Sequence, residues 1–126
     1  MSDNHESAPG PDILMQALIK MATESWRFAR VIERLLIRTE TNEQARCHSQ
    51  YRWFIKRIED SLSDAGLHIV NVEGHSYEQG MAVTPLNIEE FEVEDLLMVD
   101  QMLEPIIVGD NGVVKTGTVM LRKLEQ

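Results

Sequence analysis

A chain of 126 residues, 43% hydrophobic and 26% charged, has the composition of one globular domain with an appendage. Its formal charge of −9 argues against non-specific nucleic-acid binding, which needs cations to neutralise phosphates. One cysteine, Cys47, excludes an intrachain disulfide and suits a reducing compartment, and no apolar run reaches the roughly 18 residues of a membrane span, so the sequence predicts a cytoplasmic protein without a nucleic-acid or membrane partner.

In chain order, residues 1–11 are polar and acidic, with Gly and two Pro, and read as a disordered tail without a signal core. Pro11 suits the first turn of a helix, and Asp12 suits its positive end. Leu14, Leu18, Met21, Ser25, Phe28, Ile32 and Leu35 then follow at alternating spacings of four and three. This heptad pattern predicts a helix of about 20 residues that packs on other helices along a narrow seam. Ile19, Trp26, Ala29 and Leu36 widen the apolar face, which suits a helix with more than one neighbour.

Arg38 to Glu43 breaks the pattern, with Thr41 and Gln44 spaced as a capping box. A second helix is predicted from about Asn42 to Ala65, with the stripe Cys47, Tyr51, Phe54, Ile58, Leu62 and Ala65, and with Gly66 as its left-handed cap. One helical hairpin leaves apolar surface uncovered, so two copies are expected to form a four-helix bundle through Leu14, Leu18, Met21, Phe28, Ile32, Leu35, Phe54 and Ile58. The alternative is that the helices pack onto the remainder of their own chain.

After Gly66 the period shortens. Leu67–Val72 reads as a strand, Gly74–Ser76 as a turn, Met81–Thr84 as a short strand ended by Pro85, and Asn87–Asp95 as an acidic loop or helical turn. Leu96–Leu103 is a strand limited by Pro105. Asn111-Gly112 between β-branched runs predicts a tight hairpin over Ile106–Val114, and Thr118–Leu121 is the last strand. The expected fold is α+β: a disordered tail (1–11), a helical dimerisation segment (12–66) and a small antiparallel β domain (67–126). Charge divides similarly. Asp12 to Arg57 holds nine Lys or Arg and five acids, whereas Ile58 to Val114 holds thirteen acids and no Lys or Arg. This is either simple solubility or a face that steers a basic partner.

Chemistry-bearing groups are few. Cys47 and His48 are helix neighbours about 100° apart, poorly placed as nucleophile and base, and Cys47 falls on the apolar stripe as a buried thiol. His68 and His75 lack metal-ligand spacing and read as surface or turn residues, and Glu89 to Asp95 lacks the glycine and alternation of a calcium loop. No catalytic residue, metal site or cofactor is expected, so the chain reads as a binding protein and not an enzyme.

Two segments carry a resemblance to a known family. Gly74-His75-Ser76-Tyr77-Glu78-Gln79 stands where GrpE proteins have Gly-x-x-Phe-Asp-Pro, and Ala82 occupies the family's following histidine position. Gly112-Val113-Val114-Lys115-Thr116-Gly117-Thr118-Val119 stands where they have Arg-Val-Leu-Arg-Pro-Ala-x-Val. With the helix pair and the glycine turn into the sheet, roughly residues 15–122 resemble GrpE, the nucleotide exchange factor of DnaK-type chaperones. The resemblance implies a homodimer whose β wing binds the chaperone's nucleotide-binding domain and promotes ADP release. It places the partner contacts at Gly74, Tyr77, Glu78, Val113, Lys115 and Val119. Tyr77, Val113 and Val119 suit an ordinary sheet core equally well, and Gly74 a plain turn. The lost Arg, Pro-Ala and histidine leave open a dimeric adaptor of GrpE-like shape without exchange activity.

Overall fold

The computed structural model of the chain describes residues 11–37 and 42–124. Two helices, α1 (Pro11–Ile37) and α2 (Asn42–Asp64), precede six strands: β1 (His68–Val70), β2 (Val83–Pro85), β3 (Leu97–Glu104), β4 (Ile106–Gly109), β5 (Gly112–Lys115) and β6 (Gly117–Lys123). The expected tail lies outside the described residues apart from Pro11, which opens α1, and so does Thr41. Gln44, its expected capping-box partner, donates its side-chain amide to the Leu36 carbonyl at 2.8 Å and so tethers the start of α2 to the end of α1. No described helix is long and apolar enough to cross a membrane.

α1 runs for 27 residues, longer than its apolar period alone predicts. It turns Ala22, Trp26, Ala29 and Leu36 inward, against α2 and the strands. α2 ends where Gly66 takes φ 77°. There the Leu67 N–H donates to the Leu62 carbonyl and the Gly66 N–H to that of Ser63, each at 2.9 Å. This pairing answers the helix's last free carbonyls, and Leu62 and Leu67 bury together beside it.

The strands form two three-stranded sheets, ordered β1-β4-β5 and β2-β6-β3. Single residues carry the chain between them: Pro105 from β3 to β4, and Thr116 from β5 to β6. Proline suits such a corner because it has no N–H to leave unpaired. The expected all-antiparallel domain is corrected at one point, since β2 runs parallel to β6, with Val83 opposite Gly117 and Pro85 opposite Val119. The connection after Pro85 crosses to the far side of β6, where β3 pairs antiparallel, so the two neighbours of β6 run in opposite senses.

Trp26 joins Val72, Leu97, Val99, Met102, Ile106, Val119 and Leu121 in the main core, while Ala22, Leu62, Leu67 and Ile107 form a second cluster under the helices. Gly117 sits in the corner between the sheets. A Cβ there would lie 2.7 Å from Met102 Cε and 2.9 Å from the Glu104 carbonyl oxygen. The methionine can yield, but the backbone oxygen cannot. Gly117→Ala is therefore expected to cost about 2 kcal/mol in urea denaturation.

Candidate interaction surfaces

The residues expected to meet a partner fall into two groups on different sheets. Gly74 and Tyr77 run beside β3, their N–H groups donating to the Val99 and Leu97 carbonyls at 2.9 Å. Gly74 is exposed at φ 83°, a conformation that favours glycine. Tyr77 is half-buried against the main core, and Glu78 is exposed. The other group belongs to the β4–β5 hairpin. Gly109 pairs with Gly112 across the two-residue loop Asp110-Asn111, so the tight turn is present one residue earlier than Asn-Gly suggests. Val113 stands exposed on β5, at an edge of its sheet. Val119 is corrected from the contact set: at 0% exposure it is core and cannot meet a partner.

Lys115 is held within the chain. Its Nζ lies 3.3 Å from Glu104 Oε1, which also accepts from the Thr118 hydroxyl at 2.9 Å. Burial alone would raise the Glu104 carboxyl, but the Thr118 hydrogen bond and Lys115 outweigh it and hold the pKa below the ordinary carboxylate range. A carboxylate depressed in the fold stabilises above its unfolded pKa and loses that contribution as pH falls through the lower folded value. Glu104→Gln is expected to flatten the acid limb of the stability–pH profile below about pH 4. Its cost at neutral pH should be about 1 kcal/mol, read from urea curves at several pH values.

On the helices, Leu14, Met21, Phe28 and Leu35 stay on the outer surface of α1 at heptad spacing, between 54% and 70% exposed. Leu18 and Ile58 turn instead to the chain's own second cluster. Ile32 and Phe54, with Phe28, Cys47 and Tyr51, line an apolar groove of about 340 Å³ between α1 and α2. Cys47 is thus corrected from a buried thiol to an exposed one on the groove wall. Its neighbour His48 packs edge-on to Tyr51 at 6.4 Å. His68 and His75 are exposed, and among the described residues no three His, Cys, Asp or Glu are placed to hold a metal ion.

An ionic knot joins α1 to the strands, and the sequence pattern does not disclose it. Arg30 pairs with Glu33 at 3.0 Å and with Glu73, and stacks over Trp26 at 5.3 Å. Burial would lower the Arg30 pKa, but the hydrogen bond and charge of Glu73, with Glu33, outweigh it and raise it. Tyr51 lies close by, its hydroxyl pKa raised by burial and then by the Glu33 charge. The partners are 43 residues apart in the chain, and nothing local links them.

A further surface lies under the acidic loop. Ile88–Glu90 forms a short 3₁₀ turn. Tyr77, Ile88, Phe91, Val93, Glu92 and Asp95 line a cleft beside it of about 410 Å³. No protein-family model, curated protein or solved structure matches this chain.

Proposed function

We propose that the chain is a GrpE-like co-chaperone, a homodimer that binds the nucleotide-binding domain of a DnaK-type chaperone and promotes ADP release. One observation supports the reading: a helical hairpin that packs its inner face on the strands keeps an apolar stripe outward, and the strands present a turn and a hairpin to solvent. The stripe and the α1–α2 groove suit a second copy, which would complete a four-helix bundle. The Gly74–Glu78 turn and Val113 suit the partner. Exchange then needs no covalent step. A protein that prefers the open nucleotide cleft shifts the chaperone towards it, and a tenfold shift requires only about 1.4 kcal/mol of differential binding.

The second reading is a dimeric adaptor of the same shape. It is favoured by Gly117, whose corner excludes the family's alanine, and by Lys115, which is occupied by Glu104. Stopped-flow release of a fluorescent ADP analogue from a DnaK-type chaperone separates the two. Acceleration of at least about tenfold at saturating protein is expected, and Tyr77→Ala should reduce it by a similar factor. A clean dimer that leaves the release rate unchanged would leave only the adaptor.

A further inference from the structure

The loop between β2 and β3 exposes more apolar surface than a solvated acidic loop requires. Val93 is fully exposed and Ile88 is 40% exposed, and both line the cleft. Phe91 and Tyr77 form a half-buried floor against the main core. Contiguous apolar surface of this kind marks interaction sites more often than chance exposure does.

The loop is also held in place. The Asn87 side chain makes two hydrogen bonds to the Leu121 backbone, both at 2.9 Å. Asp95 accepts from the Glu92 N–H at 2.8 Å and donates its own N–H to the Glu92 carbonyl at 3.1 Å. The outward apolar side chains therefore stand on a fixed frame, which lowers the ordering cost of binding.

The rim has one sign. Glu92 and Asp95 line the cleft, exposed Glu89, Glu90 and Glu94 stand beside them in the chain, and none of the four glutamates makes an ion pair among the described residues. The chain already shows what the rim accepts, since the Lys123 Nζ lies 3.7 Å from Asp95 at its edge. An anionic lipid surface or a nucleic acid would be repelled.

From this apolar floor and acidic rim we propose that the cleft docks a short basic segment of a partner protein, with Leu or Phe anchors entering it and flanking Lys or Arg meeting the rim. The proposal rests only on the chain acting by recognition, and not on the partner being a chaperone. Fluorescence anisotropy with a labelled short peptide of alternating Lys and Leu tests it on the full chain. Val93→Ser with Ile88→Ser should weaken binding about tenfold or more. Neutralising Glu89, Glu90, Glu92 and Glu94 to Gln should do likewise and flatten the salt dependence. A peptide with Glu in place of Lys should not bind. Backbone amide shifts of the wild-type chain on titration should concentrate in residues 86–96.

Equal binding of both peptides, or undiminished binding by both variants, would overturn the proposal. So would shifts confined to α1, or binding lost with Phe28→Asp alone. Failure of ADP release with peptide binding intact would remove the exchange reading and leave the cleft standing.

Discussion

Phe28→Asp is expected to convert a dimer into a folded monomer. Phe28 is 64% exposed on its own chain and stands at the lip of the α1–α2 groove, so intrachain packing loses little when it is replaced. In a two-fold bundle the position occurs twice, and each copy would lose an aromatic anchor and gain a carboxylate to desolvate. An anchor of that kind contributes about 2 kcal/mol or more, so two copies weaken association by at least about a thousandfold. Sedimentation velocity should show a dimer for the wild type and a monomer for the variant, with helical circular dichroism retained. Val93→Asp, on the β module, should remain a dimer. A wild type that sediments as a monomer at high concentration would sink the prediction and the bundle with it.

How far the sequence discloses this fold depends on the range of each determinant. The end of α2 is legible because its signal is local: an apolar stripe closing on Gly66, with Leu62 and Leu67 positioned to bury together. The hairpin after β4 is legible for the same reason. The heptad on α1 is real, but periodicity reports only that a face is apolar. It does not say which neighbour covers it. The widened face of Ile19, Trp26, Ala29 and Leu36 meets the chain's own strands and α2, while Leu14, Met21 and Phe28 stay outward.

What stayed illegible is non-local. The parallel pairing of β2 with β6 joins residues more than thirty positions apart, and a three-residue strand carries no period from which to read it. Val113 and Val119 look alike in sequence, yet one lies on an edge strand and the other at the centre of its sheet. The cleft was hidden for another reason. Its acids advertise a solvated loop, and only packing against the main core shows that Phe91 and the distant Tyr77 form a common floor beneath it.

The contact least visible in the sequence is the one expected to cost most to stability when removed. Glu73 follows β1 and reaches two places at once: its carboxylate pairs with Arg30 on α1 and accepts the Met102 N–H at 2.7 Å. Met102 lies where the register of β3 against β6 slips, so this carboxylate answers a donor that the ladder leaves aside. The Arg30 and Glu73 side chains are only 20% and 24% exposed. Arg30 Nε is already buried without a partner among the described residues. Glu73→Ala would leave a half-buried guanidinium with Glu33 alone and orphan a backbone donor next to the fully buried Met102 side chain. The expected loss is about 3 kcal/mol, discounted from a fully buried pair because both groups keep some solvent. At fixed protomer concentration that lowers Tm by about 10 °C. Glu73→Gln keeps an acceptor for Met102 and should lose about half as much. Glu33→Ala, whose partner keeps Glu73, should cost under about 1 kcal/mol. A double-mutant cycle between Arg30→Ala and Glu73→Ala isolates the pair, with an expected coupling of about 1–2 kcal/mol. Coupling near zero would mean that Glu73 acts through Met102 alone, and that packing of Trp26 and Ala22, not the ionic knot, holds α1 on the strands.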